Sequence, residues 1–253
     1  MSGEAPPGFP RFETDLFVPR YRAATSGDWE LRVAELAISP GYWSDPILVE
    51  QMAVLVRHGR SWMSMTPFEL ESQGLGVRAA AGRVLIFGLG LGWAACACAA
   101  LPAVRVVTVV EKDRDVLALH RELDIFAQLS SEARAKLRIV EGDAFAYRPE
   151  APVDLLLPDI WLPLVNDGRL EEVRAMQANV GARAVHFWGQ EMELVRHAAA
   201  AGRALDAAGI DATIADTGLP LVGTGDPDYA AKAEAAARRW MRGRWLLGSE
   251  PPW

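Results

Sequence analysis

Cysteine is scarce in this sequence, and its scarcity excludes two classes of protein. Cys96 and Cys98 are the two cysteines among 253 residues, too few for a four-cysteine zinc site or a disulfide framework. A spacing of two within an alanine-rich helix directs the two thiols to different sides. We therefore expect buried, inert thiols in a reducing compartment, and no metal site.

Excess positive charge is also absent. The chain carries 26 basic and 33 acidic residues, a net charge of −7, whereas a protein that grips nucleic acid usually shows a basic face. The segment Met1 to Pro10 is polar and does not resemble a signal peptide. We expect a cytoplasmic protein whose partner is neither nucleic acid nor a membrane. The oligomeric state, a homodimer included, stays open.

The longest run without charge, 84–104, has 21 residues, enough to cross a membrane. Three glycines and Pro102 interrupt it, which favours a buried strand, a turn and a helix. From Gly82 onward such apolar runs alternate with helical stretches, as in a parallel sheet covered on both faces. The expected strands are 84–87, 106–110, 137–140, 153–157 and 184–188, and the main expected helices are 115–123, 170–179 and 191–208.

The remaining segments are predicted less regularly. Residues 1–80 are expected to form an N-terminal cap over a cofactor-binding domain at 81–253. Asp45 and Pro46 resemble a helix start, so a helix is expected from Ile47 to Val56, closed by Gly59. Further expectations are short strands at 15–19, 33–39 and 212–215, a loop or strand at 61–67 before a helix at 68–73, a helix at 229–241 and a frayed end at 251–253.

A glycine-rich turn carries most of the chemical information. Val84 to Phe87 leads into Gly88, Gly90 and Gly92, which predicts a strand, a tight turn and a helix start. The next strand ends on Glu111, where doubly wound sheets bind a ribose diol. A dinucleotide fingerprint requires glycine where Trp93 stands, and a phosphate-binding P-loop requires a lysine that this turn lacks.

These features resemble the class I S-adenosylmethionine-dependent methyltransferases, within them the spermidine-synthase-like branch. The resemblance covers residues 82 to about 165 and implies a doubly wound, Rossmann-like α/β fold with S-adenosylmethionine as cofactor. It implies that the loop of Gly88, Gly90 and Gly92 passes under the methionine part and that Glu111 binds the ribose. It also implies that Asp143 and Ala144, after Gly142, hold the adenine, and that Asp159 lies beside the reacting sulfonium.

Two departures from the branch bear on the reaction. Leu91 stands where spermidine synthases carry an aspartate in the glycine loop, and Leu162 precedes Pro163 where they carry a second one. Leucine cannot bind a cationic amine, so polyamine synthesis is disfavoured. We expect a methyltransferase that acts on a small-molecule or peptide acceptor. An aminopropyl or alkyl transferase and a non-catalytic scaffold remain the alternatives.

Candidate acceptor contacts lie at the last two strand ends: Trp161, His186, Trp188 and Glu191. Two tryptophans beside two carboxylates suit a flat or cationic acceptor. Core packing explains both tryptophans equally well, and His186 fits a buried histidine better than a ligand. Structural roles also remain open for the acids, namely a strand end for Glu111, a helix N-cap for Asp143 and a turn for Asp159. Surface positions are expected for the other histidines, 58, 120 and 197.

Overall fold

A computed structural model describes residues 10–249, which form two β-sheets and the helices around them. The first sheet is antiparallel, in chain order: β1 (Ala24–Ser26), β2 (Trp29–Ser39), β3 (Ile47–Arg57) and β4 (Arg60–Ser64). The second is parallel: β5 (Gly82–Phe87), β6 (Val104–Glu111), β7 (Leu137–Glu141), β8 (Leu155–Pro158) and β9 (Ala184–Val185). The helices are α1 (Pro67–Arg78), α2 (Trp93–Ala100), α3 (Arg114–Leu123), α4 (Ser131–Ala135), α5 (Arg169–Val180), α6 (Gln190–Ala200), α7 (Ala207–Thr217) and α8 (Tyr229–Trp240).

The central strand β5 is buried on both faces. Val84 and Ile86 pack into the core that contains α2, and Leu85 and Phe87 pack into the core that contains α5. Successive side chains of a strand point to opposite faces, so helices cover the sheet on both sides. This is the doubly wound, Rossmann-like sheet predicted from the sequence, and it is the fold that the resemblance to class I methyltransferases implies.

The strand order β7-β6-β5-β8-β9 places a change of direction beside β5. The chain moves outward from β5 to β6 and β7, and then returns to β8 on the other side of β5. Ligands of such sheets occupy the crevice at the carboxyl ends of the strands flanking this change. The uncharged run 84–104 forms β5, the glycine loop and α2, as predicted. No helix in the described part of the chain is long and apolar enough to cross a membrane.

The helix predicted from Ile47 to Val56 is wrong, because this segment is strand β3. It pairs antiparallel with β2 from Ser39↔Ile47 to Trp29↔Arg57. The pairing satisfies the backbone along the whole strand and overrides the helical spacing of the apolar residues. Gly59 closes a hairpin instead of a helix, since His58 and Gly59 both have positive φ between Arg57 and Arg60.

A second correction concerns the chain after β9. The single helix predicted at 191–208 is two helices, α6 and α7, separated by a turn at Gly202. The strand predicted at 212–215 lies inside α7. Asp206 is the N-cap of this helix, and its carboxylate accepts the N–H of Gly209 at 2.8 Å. An alanine-rich segment with a capped start satisfies its backbone locally, whereas a strand there would need a neighbour.

Other local predictions have mixed outcomes. Residues 15–19 form no strand, and the strand predicted at 33–39 is part of β2. The segment 61–67 contains most of β4, and α1 extends beyond the predicted 68–73. Cys96 and Cys98 are buried as predicted, and burial raises the pKa of each thiol to about 12. The predicted frayed end at 251–253 lies outside the described residues, and the division at residue 80 stays a prediction.

A buried acid contacts both the N-terminal and the C-terminal parts of the described chain. Glu191, at the start of α6, accepts hydrogen bonds from the hydroxyl of Tyr229 at 3.0 Å and of Tyr42 at 3.3 Å. Tyr42 lies in the β2–β3 loop and Tyr229 begins α8. Trp240 adds a bond from its indole N–H to the carbonyl of Tyr42 at 2.7 Å. The cluster connects the antiparallel sheet to the C-terminal helix through the parallel-sheet unit.

We expect Tyr229→Phe to lower the free energy of unfolding by about 1–3 kcal/mol, because a buried acceptor loses its donor. Urea denaturation monitored by circular dichroism measures the loss. Tyr147→Phe is the matched control, since the Tyr147 hydroxyl makes no hydrogen bond among the described residues. Equal stability of both variants and the wild type would show that the cluster does not stabilise the fold.

Candidate cofactor and acceptor site

A cavity lies at the carboxyl edge of the parallel sheet, facing the antiparallel sheet. From the parallel sheet it is lined by Gly88, Gly90, Glu111, Asp143, Ala144, Asp159, Trp161 and Trp188. Residues of β2, β3 and β4 form the opposite wall, among them Trp29, Arg57 and Trp62. Eight of the eleven predicted site residues therefore share one cavity, and Gly92, His186 and Glu191 do not line it.

The glycine loop approaches its neighbours too closely for side chains. Gly88 has φ +94°, and a Cβ there would overlap the carbonyl oxygen of Asp159. Gly90 has φ +50°, and a Cβ there would lie 2.6 Å from Met63 Sδ. Both positions require glycine for conformation and for space. Between the strand ends the loop thus offers a bare backbone surface to the cavity.

Glu111 ends β6 and faces the cavity. Its two carboxylate oxygens accept the N–H of Leu89 at 2.9 Å and of Asp113 at 2.8 Å. These bonds hold the carboxylate against the glycine loop. A carboxylate has about four acceptor positions, so two remain for the hydroxyls of a ligand. The alternative that Glu111 serves as a strand end is compatible with this geometry, since the two roles use different lone pairs.

Asp143 and Ala144 lie in the turn after β7. Asp143 is exposed and its carboxylate accepts the N–H of Phe145 at 2.8 Å. No helix follows this turn, so the predicted alternative of a helix N-cap is wrong. Ala144 is buried, whereas Phe145 is 41% exposed and lines the cavity. The turn combines a polar group with an apolar surface, as a flat nitrogenous ring requires.

Two acids, the buried Glu69 and the partly buried Asp159, meet at the other end of the cavity. The amide nitrogen of Gln73 donates to Asp159 Oδ2 at 2.9 Å and to Glu69 Oε2 at 3.3 Å. Burial raises the pKa of Asp159 from 3.8 to about 7, against the opposing charge of Arg169. Burial and the nearby Asp159 also raise the pKa of Glu69 well above its usual value. Asp159 is therefore able to hold a proton near neutral pH.

Tryptophans line both walls of the cavity. On the parallel-sheet side, the Trp161 indole N–H donates to Glu172 at 2.6 Å, and Trp188 is buried with an indole N–H that has no well-aligned acceptor among the described residues. On the antiparallel-sheet side, the rings of Trp29 and Trp62 meet edge to face, 5.2 Å apart. The cavity thus combines aromatic walls with acids at its base.

Two residues predicted as acceptor contacts do not line this cavity. Glu191 is fully buried and bonded to Tyr42 and Tyr229, away from the cavity. His186 is buried beside it, with Nε2 3.7 Å from Glu191 Oε1. His186 borders a smaller adjoining cavity with Gln73 and Asp159. The strand β9 ends at Val185, three residues earlier than predicted, and both side chains lie in the core.

Gly92 and His120 support the loop from behind. Gly92 precedes α2 with φ +73°, and a Cβ there would press on His120 and Ile125. The predicted surface position of His120 is wrong, since this side chain is buried with Nε2 2.8 Å from the carbonyl oxygen of Gly90. Burial lowers the pKa of His120 to about 4, so the ring is neutral at neutral pH.

Sequence reasoning missed Glu69, Gln73 and Arg57. All three come from the N-terminal segment, which was expected to cover the site without acting in it. Glu69 and Gln73 are four residues apart on α1, a spacing that places them on one helix face. That spacing was the one available signal, and it did not indicate what the face contacts.

Solved structures provide distant comparisons. The glycopeptide N-methyltransferase MtfA bound to S-adenosylhomocysteine is 21% identical over 43% of this chain and 41% of that chain, with a TM-score of 0.34. The DhpI–SAM–HEP complex is 19% identical over 46% and 52%, with a TM-score of 0.33. Spermidine synthase from Thermotoga maritima is 14% identical over 63% and 53%, with a TM-score of 0.42. This chain therefore spans about half of the length of these proteins, or less. No protein-family model and no curated protein matches it.

The raised pKa of Asp159 predicts a pH dependence of stability. A carboxyl group with a pKa of about 7 in the native state keeps a proton that the unfolded chain releases near pH 4. The native state then binds more protons, so the free energy of unfolding falls as pH rises from about 4 to about 7. Asp159→Asn removes this contribution, and its stability should change less over that range. Urea denaturation of both proteins between about pH 5 and about pH 8 measures the two slopes; equal slopes contradict the prediction.

Proposed function

We propose that this chain is an S-adenosylmethionine-dependent transferase that methylates a small-molecule or peptide acceptor. The observation that supports this most is the convergence of four strand ends on one cavity. These ends supply the glycine loop, Glu111, the turn of Asp143 and Ala144, and Asp159. Each group alone has a structural explanation, but their shared cavity matches the separate parts of one elongated, nucleoside-containing ligand.

The residues present fit that cofactor. Gly88 and Gly90 form a bare cradle that a Cβ would fill, suited to the chain between ribose and sulfur. Glu111 retains acceptor positions for two ribose hydroxyls. Asp143 and the exposed ring of Phe145 would hold the adenine by a hydrogen bond and by ring contact.

When bound, the cofactor supplies an electrophilic methyl group on a sulfonium. Attack on it needs an aligned acceptor, so the protein acts by orientation and proton removal. Asp159 is the proposed base, and its pKa of about 7 is close to the value that makes a carboxylate an efficient proton acceptor at neutral pH. Gln73 holds this carboxylate in place through its amide. The tryptophan walls exclude water and contact the acceptor.

The acid pair supports a second candidate, aminopropyl or alkyl transfer. Position 91 lies in the core, so Leu91 does not face the cavity. Glu69, from α1, brings a carboxyl group to the cavity from a different element, next to Asp159. Two adjacent acids in one cavity are compatible with a cationic amine as acceptor or as part of the cofactor.

S-adenosylhomocysteine should bind with micromolar affinity, on the order of 8 kcal/mol, and NAD should not bind. Isothermal titration calorimetry with both ligands measures this. Gly88→Ala should abolish binding because its Cβ would overlap Asp159. Gly225→Ala is the matched control, as a Cβ there meets nothing within 4 Å. Binding of NAD without binding of the adenosyl ligand would refute the cofactor assignment.

The transferred group is decided by comparing S-adenosylmethionine with its decarboxylated form. We expect turnover to require the intact amino-acid end, because Leu162 stands where aminopropyl transferases carry an acid before proline. Mass spectrometry of products from amine and peptide acceptors distinguishes the two reactions. Preferred use of the decarboxylated form with putrescine would replace methyl transfer by the second candidate.

A further inference from the structure

Arg169 occupies an unfavourable place for a cation. It is 1% exposed, and it is the first residue of α5, where the helix dipole repels positive charge. Among the described residues, no carboxylate oxygen lies within 4.0 Å of its guanidinium. Burial lowers its pKa to about 10, so the side chain remains charged at neutral pH. Such a group is retained only where its contacts offset the cost of burial.

Its contacts lead to both tryptophans on the parallel-sheet side of the cavity. The guanidinium carbon lies 3.9 Å from the centre of the Trp161 ring, a close cation–π contact. Nη1 donates to the carbonyl oxygen of Trp188 at 2.8 Å, and Nη2 donates to that of Pro163 at 2.8 Å. Nε donates to Asn166 at 2.7 Å. One side chain therefore fixes the segment after β8 and the segment after β9.

Glu172 completes the fixation of Trp161. It lies three residues after Arg169 on the same face of α5 and accepts the indole N–H of Trp161 at 2.6 Å. Arg169 contacts the face of the Trp161 ring, and Glu172 accepts the N–H at the edge of that ring. Two restraints from one rigid helix leave the indole a single orientation in the cavity wall.

The charge of Arg169 also acts on Asp159. The charged groups that face Asp159 are Glu69 from α1, Glu111 from the end of β6 and Arg169 from α5, and His186 borders the adjoining cavity. Glu111 raises the pKa of Asp159, and Arg169 lowers it. Among these groups, Arg169 is the permanent cation that opposes the effect of burial.

We propose that Arg169 is a positioning residue of the acceptor side, which fixes the Trp161 ring and the Trp188 backbone and, with Glu172, sets the shape of that wall. The assignment of this wall to an acceptor rests on the proposed transferase function. The restraint on Trp161 and the effect on Asp159 are properties of the free protein, so they are measurable without turnover.

The first experiment follows the indole N–H signals by NMR, with the Trp161 signal assigned by its loss in Trp161→Phe. In Glu172→Ala and in Arg169→Lys, exchange of the Trp161 indole proton with solvent should accelerate roughly tenfold or more, since lysine cannot stack as a planar fork. Glu171→Ala is the matched control at the residue just before Glu172 in α5. The exchange rate of the Trp161 indole proton in this variant should match the wild type. Unchanged exchange in Glu172→Ala and Arg169→Lys would overturn the proposal.

The second experiment titrates Asp159 by NMR of carbon-13-labelled aspartate, assigned with Asp159→Asn. Arg169→Lys keeps the charge, so Asp159 should titrate close to the wild-type pH. Arg169→Met removes the charge, and the titration should move upward by roughly one pH unit. If Arg169→Met does not fold, Arg169→Gln replaces it as the neutral variant. The titration midpoint of Asp159 should then rise in Arg169→Gln and stay unchanged in Arg169→Lys. Equal midpoints in the charged and neutral variants would contradict the electrostatic part.

Binding of S-adenosylhomocysteine separates this proposal from the cofactor assignment. The ligand should bind Arg169→Lys and Glu172→Ala within about threefold of the wild type, because neither residue lines the cavity beside the glycine loop. Failure of the wild type to bind this ligand would refute the proposed function, whereas the Trp161 and Asp159 measurements would still decide the role of Arg169. A large loss of affinity in both variants would show that they disturb the whole site, and would overturn a role confined to the acceptor wall.

Discussion

The close approach of Gly88 to Asp159 determines where the groups of the site lie. Strands β5 and β8 pair in register up to Phe87 and Pro158, so the next residue of each strand meets the other at the sheet edge. The Gly88 N–H donates to the carbonyl oxygen of Val110, the residue before Glu111, at 2.9 Å. The Asp159 N–H donates to the carbonyl oxygen of Phe87, the residue before Gly88, at 2.8 Å. One glycine thus joins the part of the site that holds Glu111 to the part that holds Asp159, and a side chain there would separate them.

The antiparallel sheet gives these groups their chemistry by excluding water. Without a wall opposite the parallel sheet, Asp159 would be solvated and ionised like any surface acid. Residues of β2, β3 and β4 close the cavity, and burial is the main cause of the raised pKa of both Asp159 and Glu69. The sulfur of Met63 in β4 also accepts a hydrogen bond from the N–H of Leu91 at 3.2 Å, so the same sheet supports the glycine loop.

The parallel sheet was predictable because its strands are buried on both faces, which leaves continuous apolar runs in the sequence. The N-terminal segment was not, since Leu48, Leu55 and Val56 fit a helix face and also fit a strand. Only the pairing of β3 with β2, which joins distant positions, decides between them. The glycine loop and Glu111 were found because local spacing defines them. Glu69 and Arg169 were missed because their importance arises from contacts between elements.

The departure at Leu91 acquires a different meaning in the fold. Leu91 packs in the core, and its carbonyl accepts the hydroxyl of Tyr21 at 3.0 Å. An acid at position 91 would therefore be buried among apolar side chains of the N-terminal segment. A carboxyl group instead reaches the cavity from α1 through Glu69, which Gln73 couples to Asp159. The balance between these acids and Arg169 is set by packing between α1, β8 and α5, so motifs within the parallel sheet do not determine it.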